Sequence, residues 1–389
     1  MIPDINIGSY CFTDGIGKIT KEKALEISSK NYESREISAF QIRFGGFKGV
    51  VAIDPNVIGS SQLLLRKSMK KFESVYSKLD VLNISEYIPC YLNRQIIIIL
   101  STLGIHDDVF SDLQDEMLKK ISQMLVDPNI ASHYLNKYYR SFFSVSKNNE
   151  LFNYCNDSFF RDLLKTIYRK ELQDLIKKSR IFVPKGRILL GTIDETRILE
   201  SNQVFIKCNI NELDLAFLNN SNGSIKKSID NKSYVVIGKI VVAKNPCMHP
   251  GDLRVMDAVY EPKLDHMIDC IVFPSRGTRP ITNMCSGSDL DGDLYFVSWD
   301  PLLIPKKVHE PMDYEAASKT KIKQSDVEIE DVISFFVNFI EVDQLGRIAN
   351  AHLALSDSSP LGVKDPKCIE LAKLFSSAVD FPKTGKFRC

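Results

Sequence analysis

The sequence predicts a mixed α+β protein in which β-rich and helical segments alternate. Strand patterns dominate residues 9–72 and 179–300, whereas apolar residues recur at three- and four-residue steps in residues 86–178. The chain has 389 residues, of which 44% are hydrophobic. It can therefore bury a large core, and we expect two or three structural units.

The first β-rich segment is predicted to form a strand, a glycine turn and a second strand. Phe40–Phe44 runs into Gly45 and Gly46, and Gly49–Ile53 is a β-branched run that ends at Pro55. We assign residues 1–80 to this first β unit.

The segment 81–178 is predicted as a helical insertion. The apolar stripe of one helix consists of Phe110, Leu113, Met117, Ile121 and Met124, and a less regular stripe follows from Phe160. Asp157 or Ser158 is expected to cap the second helix at its N-terminus.

Residues 179–304 are predicted as a second β unit and 305–389 as a polar loop followed by helices. The predicted strands cover 187–193, 203–207, 235–243, 269–273 and 294–299. The asparagine-rich stretch 209–233 is interpreted as a surface insertion. Helical patterns return at 333–340 and 369–378.

The overall charge is balanced, with 50 Lys+Arg against 49 Asp+Glu and a net charge of +1. The totals alone therefore indicate neither a nucleic-acid binder, nor a polybasic membrane anchor, nor an acidic tail. The longest aliphatic run, 96–100, is too short to span a bilayer. The nine cysteines include no CxxC pair, and the chain start lacks a secretory signal, so we expect an intracellular protein with reduced thiols and no zinc site.

Three carboxylates stand at steps of two in Asp289, Asp291 and Asp293. Such residues project to the same side of an extended chain, and Gly292 permits a bend that draws their oxygens together. Carboxylates this close favour a hard divalent cation, because an empty cluster would raise its own pKa values. This donor set suits phosphoryl or nucleotidyl transfer.

Three other interpretations compete for this motif. An EF-hand loop needs glycine at its sixth position, but Leu294 stands there when counted from Asp289. A haloacid-dehalogenase-type phosphatase places its carboxylates after a buried strand, whereas here the apolar strand follows them. A solvated acidic turn is the third.

Basic residues are concentrated in local patches despite the neutral total. Five basic residues and no acidic one occur in 177–187, and four occur in 63–72. Lys48 is flanked by glycines and apolar strand residues, which suits either a snorkelling surface lysine or a fixed phosphate ligand. These patches offer basic faces for phosphate.

Short motifs follow one another in a fixed order along nearly the whole chain. They are Phe12–Gly17, Gln41–Gly46, Lys48–Val51, Ser68–Phe72, Pro184–Arg187, Asp194–Thr196, Asn245–Asp252, Asp289–Asp293, Pro311–Tyr314, Asn350–His352 and Ala378–Thr384. Together they resemble the eukaryotic cellular RNA-dependent RNA polymerases of RNA silencing.

The resemblance implies a polymerase core of two double-psi β-barrels, with the helical insertion between them and helices after the second. The second barrel would carry Asp289, Asp291 and Asp293 as ligands of two Mg²⁺ ions, or of Mn²⁺ in their place. No organic cofactor is implied.

The resemblance also implies roles for basic residues. The catalytic lysines that face phosphate would be Lys48 and Lys71. The residues that bind RNA or NTP would be Lys185, Arg187, His249 and Arg43. For His249 a second interpretation, a structural residue of a Pro/Gly-rich turn, stays open.

The implied activity is RNA-directed RNA synthesis. A single-stranded RNA template and NTPs would be the substrates, and double-stranded RNA for siRNA production would be the product, with RNA-silencing proteins as further partners and no membrane. The similarity begins within the first dozen residues and ends after Thr384, so we expect a catalytic-core fragment whose first barrel is incomplete at its N-terminus. A catalytically incomplete RNA-binding fragment and a Mg²⁺-dependent phosphatase are the alternatives.

Overall fold

The computed structural model describes residues 1–32, 35–57, 62–143, 157–210, 225–228, 232–314 and 327–384. The strands are β1 (Asn6–Ile7), β2 (Tyr10–Cys11), β3 (Ile16–Ile19), β4 (Ala39–Phe44), β5 (Phe47–Ile53), β6 (Leu63–Leu64), β7 (Asp80–Ile84), β8 (Pro89–Tyr91), β9 (Phe182–Ile193), β10 (Gln203–Asn209), β11 (Ile225–Lys227), β12 (Ser233–Val236), β13 (Gly238–Lys244), β14 (Arg254–Ala258), β15 (Cys270–Phe273) and β16 (Leu294–Ser298). The helices are α1 (Lys21–Asn31), α2 (Arg94–Thr102), α3 (Asp107–Gln123), α4 (Pro128–Phe143), α5 (Ser158–Lys178), α6 (Ile281–Met284), α7 (Ile329–Val342), α8 (Leu345–Ser358) and α9 (Pro366–Thr384).

The chain divides into two compact units. The first comprises Met1–Ile88, Ile98–Ile105 and Pro184–Cys389, and the second comprises Pro89–Ile97 and His106–Val183. Both β-rich segments therefore fall in one unit. Much of the predicted insertion at 209–233 and of the polar stretch at 305–331 lies outside the described residues.

The N-terminal β segment forms a five-stranded sheet in the order β6-β3-β5-β4-β7, in which only the β3–β5 pair is parallel. The predicted strand, glycine turn and strand are confirmed as β4, Gly45-Gly46 and β5, and both glycines have positive φ. Helix α1, which the sequence did not predict, covers one face of the sheet, where Ala24 and Ile27 join the buried cluster of Phe40 and Val51.

The second β segment closes into a six-stranded barrel. Its strands follow the order β10-β14-β13-β16-β9-β15, and β15 pairs again with β10. The predicted single strand at 235–243 is instead two strands, β12 and β13, separated near Gly238, whose φ is +100°. Strand β14 was not predicted. The barrel interior is the largest buried cluster, and Val50 and Ala52 of β5 belong to the same cluster.

A buried ion network also joins the five-stranded sheet to the barrel. Lys18 Nζ lies 2.8 Å from Asp54 Oδ2 and 3.2 Å from Glu195 Oε2, and Arg66 Nη2 lies 2.9 Å from the Glu195 carboxylate. Buried charges are tolerated only when they are paired in this way. The network fixes β3 and the chain after β6 against the barrel, and thereby fixes the position of β5.

The second unit contains the predicted helical pattern. Met117 and Ile121 of α3 and Leu164 and Ile167 of α5 are buried. Asp157 is the N-cap of α5, as predicted: its carboxylate accepts hydrogen bonds from the amides of Phe159 and Phe160 at 2.9 and 3.1 Å.

The C-terminal helices α8 and α9 belong to the first unit. Ala372 and Phe375 of α9 pack with Met248 in the connection between β13 and β14, and Leu345 and Ile348 of α8 pack against the same cluster. Helix α8 was not predicted from the sequence. None of the described helices is long and apolar enough to cross a membrane, and no disulfide joins the seven cysteines that lie in described residues.

Candidate active site

The acidic motif forms a tight loop between α6 and β16. One carboxylate oxygen each from Asp289, Asp291 and Asp293 can be chosen so that all three lie within 4.8 Å of one another. Gly292 has φ of +129°, a conformation that favours glycine. The buried side chain of Leu290 joins the barrel core and anchors the loop.

Hydrogen bonds within the loop hold the carboxylates together. The amide of Asp291 donates to Asp289 Oδ1 at 3.1 Å, and the amide of Asp289 donates to Asp293 Oδ2 at 3.2 Å. The hydroxyl of Tyr295 donates to the carbonyl of Asp289 at 2.9 Å. The loop shape is therefore set by the protein itself.

The five-stranded sheet supplies the other side of the site. The amide of Leu290 donates to the carbonyl of Asp14 at 2.9 Å, and Gln41 Nε2 donates to the carbonyl of Asp291 at 3.2 Å. A β-carbon built on Gly15 would lie only 2.6 Å from Asp291 Cβ. The sheet thus packs directly on the main chain of the acidic loop.

Two ammonium groups contact the carboxylates. Lys48 Nζ lies 2.6 Å from Asp291 Oδ2, and Lys244 Nζ lies 3.1 Å from Asp293 Oδ2. Burial, followed by the charges of Asp291 and Asp293, raises the pKa of Asp289 to about 7. An all-oxygen donor set with an excess of negative charge fits a hard divalent cation.

Comparison with known proteins assigns the family. A family model described as RNA dependent RNA polymerase matches residues 1–387. The chain belongs to the RNA-dependent RNA polymerase family. The resemblance inferred from the motifs is thereby confirmed.

Plant and fungal members of the polymerase family are similar over nearly the whole chain. RNA-dependent RNA polymerase 1 of Arabidopsis thaliana is 46% identical over 99% of this chain and 34% of its own length. Probable RNA-dependent RNA polymerase 1 of Oryza sativa subsp. japonica is 46% identical over 99% of this chain and 50% of its own length. RNA-dependent RNA polymerase 1 of Schizosaccharomyces pombe is 35% identical over 98% of this chain and 33% of its own length. The chain thus spans a third to a half of these relatives.

A solved structure supports the fold. RNA dependent RNA polymerase QDE-1 from Thielavia terrestris superimposes with a TM-score of 0.74, at 20% identity, over 100% of this chain and 46% of that one. The predicted mixed α+β polymerase-core fold is confirmed. Here the barrel that carries the acidic loop is closed, and the first β unit is the five-stranded sheet.

Two other predicted basic residues are exposed on the surface of this polymerase-family chain. Arg43 is exposed and stands directly opposite Lys48 in the β4–β5 register, so both side chains lie on one face. Lys71 is exposed, and its ammonium donates to the carbonyl of Ser68 at 3.2 Å. Both positions suit phosphate contact.

Arg187 has a different environment from the predicted one. It is 0% exposed, and its guanidinium donates to Tyr234 Oη at 2.8 Å and lies 4.6 Å from the ring centroid of Tyr87 and 5.7 Å from that of Trp299. A buried guanidinium has no surface for RNA, so the structure favours a role in barrel packing. Lys185 is half-buried on the same strand, and its carbonyl accepts from the Trp299 amide.

His249 also lies inside the protein. It is 5% exposed, and its Nδ1 accepts from the amide of Gly251 at 3.0 Å as the cap of a 3₁₀ turn. Burial, followed by the neighbouring His309, lowers the pKa of His249 to about 4, so the ring is neutral. These contacts favour the turn role over binding of RNA or NTP.

The sequence reasoning missed Lys244, Gln41 and the packing role of Gly15. Lys244 immediately precedes the Asn245–Asp252 motif, and the other two lie inside motifs quoted above. Their position in or beside these motifs was the available signal in the sequence. The contacts themselves join residues that are distant in sequence and form only once the acidic loop has folded.

Proposed function

We propose that this chain carries the nucleotidyl-transfer centre of an RNA-directed RNA polymerase. The proposal rests on one observation above others: Lys48 of the five-stranded sheet lies 2.6 Å from Asp291 in a cluster of three carboxylates. A lysine beside a cation site suits phosphoryl transfer, because charge develops on the phosphate oxygens. Membership of the family supports the same reaction.

The cation in this proposal is Mg²⁺. Asp289, Asp291 and Asp293 would hold it, and when bound it would supply charge stabilisation at the reacting phosphate and the attacking 3′-oxygen. Lys48 keeps 36% of its side chain exposed, so its ammonium can donate to a phosphate oxygen as well as to Asp291. Arg43 on the same face adds a second positive charge. Lys71 is proposed as a further phosphate contact.

The substrates follow from the proposed reaction. A single-stranded RNA template directs incorporation of NTPs, and the product is double-stranded RNA that supplies siRNA in RNA silencing, with silencing proteins as further partners. An intracellular location belongs to the same proposal. The seven cysteines within the described residues form no disulfide, which is consistent with it.

An Asp291→Ala variant tests the proposal. NTP incorporation on single-stranded RNA should depend on Mg²⁺ and fall by more than about 100-fold, because a cation ligand and the partner of Lys48 are both removed. Asp112→Ala, on the exposed surface of α3, is the matched control and should keep wild-type activity. Incorporation that survives in Asp291→Ala would refute the assignment.

A second candidate function is RNA binding without synthesis. It is favoured by one observation, that Arg43 and Lys71 are exposed basic residues. It predicts salt-sensitive RNA binding and no incorporation at any Mg²⁺ concentration. The phosphatase alternative is disfavoured because the carboxylates precede β16 instead of following a buried strand.

A further inference from the structure

A continuous exposed segment follows the 3₁₀ turn at Lys67–Met69 and leads to β7. Every residue from 71 to 78 is exposed. Phe72 is 65% exposed, Val75 103% and Tyr76 49%. Several exposed large apolar side chains in one short segment indicate a binding surface. We call residues 70–78 the aromatic segment.

The aromatic segment is fastened to the turn between β4 and β5. The amides of Lys71 and Phe72 both donate to the carbonyl of Gly46, at 2.9 and 3.4 Å. A β-carbon on Gly46 would lie 2.1 Å from the carbonyl oxygen of Phe72, so only glycine permits this approach. Lys48, two residues beyond Gly46, contacts Asp291. The segment is therefore attached to the turn that leads into the strand of Lys48.

The aromatic segment is also basic. It contains three lysines and one glutamate, and Lys70 is paired with Glu73 at 2.6 Å. Lys71 and Lys78 are both exposed and add positive charge on either side of the rings. The hydroxyl of Tyr76 donates to Asp80 Oδ1 at 3.4 Å, which orients the ring.

We propose that Phe72 and Tyr76 form a stacking platform for unpaired bases of single-stranded RNA, with Lys71 and Lys78 neutralising the backbone. Exposed rings flanked by lysines are a combination that binds single strands, because every base has a face to stack and every nucleotide has a charge. An apolar protein partner would bury lysines at a cost, whereas RNA pairs with them. The inference rests on the proposed function, since it names the polymer that approaches the acidic loop.

The experiment measures anisotropy of a short fluorescein-labelled single-stranded RNA and of a matched abasic RNA with the whole chain. The double variant Phe72→Ala/Tyr76→Ala should bind the normal RNA at least about 5-fold more weakly and the abasic RNA as wild type does. Phe72→Trp with Tyr76→Phe should restore binding. Tyr260→Ala is the control, because Tyr260 is an exposed ring (40%) that also faces a lysine, Lys226 at 3.7 Å.

The outcomes separate the platform from the polymerase activity. If wild type binds both RNAs equally, or the double variant loses both equally, or wild type binds neither, the platform is refuted. Asp291→Ala should still discriminate normal from abasic RNA. If the wild type prefers normal to abasic RNA but incorporates no NTP, the proposed function is overturned and the platform is supported. If it incorporates NTP but binds both RNAs equally, the platform is refuted and the proposed function is supported. Circular dichroism confirms that each variant is folded.

Discussion

Replacing Gly15 by alanine should disable the acidic loop without altering any carboxylate. Gly15 has φ of +84°, and its added β-carbon would lie 2.6 Å from Asp291 Cβ, 2.7 Å from its amide nitrogen and 2.8 Å from its Cα. Ordinary contacts begin at 3.4 Å. Asp291 would therefore have to retreat by about 0.8 Å or more, and main-chain atoms cannot turn aside as a flexible side chain can.

The expected loss follows from that displacement. A shift of about 1 Å in a reacting group costs on the order of 100-fold in rate, so NTP incorporation should fall by about that factor. Affinity for Mn²⁺, followed by electron paramagnetic resonance, should fall about 10-fold or more, because the three carboxylates no longer converge. The positive φ at position 15, which alanine adopts with strain, should by itself lower the free energy of unfolding of Gly15→Ala by about 1–2 kcal/mol.

A Gly8→Ala variant separates strain from displacement. Gly8 also has positive φ, at +60°, but its added β-carbon would meet no atom within 4 Å. In a urea titration, Gly8→Ala should lose about as much free energy of unfolding as positive φ alone removes in Gly15→Ala. It should keep its Mn²⁺ affinity and its activity. If Gly15→Ala matched Gly8→Ala in Mn²⁺ affinity and activity, contact between the sheet and the loop would not position Asp291.

Two further perturbations act on single contacts. Lys244→Met removes an ammonium from Asp293, so Mn²⁺ should bind about two- to ten-fold more tightly in a calorimetric titration; weaker binding would mean that Lys244 orients the carboxylate instead. His249 has its pKa lowered to about 4 in the folded state, so the unfolded chain binds more protons below pH 6.5. The free energy of unfolding should decline from about pH 6.5 to 4, by at most about 3 kcal/mol from this group. Urea titrations of His249→Asn should show a smaller decline, and an unchanged decline would assign it to other groups.

The parts of the site that lie close together in sequence were predictable. Asp289, Asp291 and Asp293 converge because their spacing and Gly292 dictate it, and those features are visible in the chain itself. Lys48 was also recognisable, because a lysine between glycines in an apolar strand is unusual. The β4–β5 pair and helices α3 and α5 followed from local turn and periodicity signals for the same reason.

Long-range packing decided what the sequence did not predict. Lys48 and Asp291 are 243 residues apart, and neither Gln41 nor Gly15 carries a local sign that it meets the loop. Arg187 is the opposite case: a basic patch predicted exposure, but the guanidinium is buried against the rings of Tyr87 and Trp299. Charge in a sequence gives the chemistry of a side chain, whereas burial depends on which strands become its neighbours.

The proposed centre exists only where the two β structures meet. The barrel alone supplies three carboxylates and the ammonium group of Lys244, which leaves an acidic loop with a single positively charged side chain beside it among the described residues. The five-stranded sheet supplies Lys48 and the Gly15 contact, and the Glu195 network holds that sheet in place. A charge balance suited to phosphate chemistry therefore depends on docking of the sheet as well as on the carboxylates.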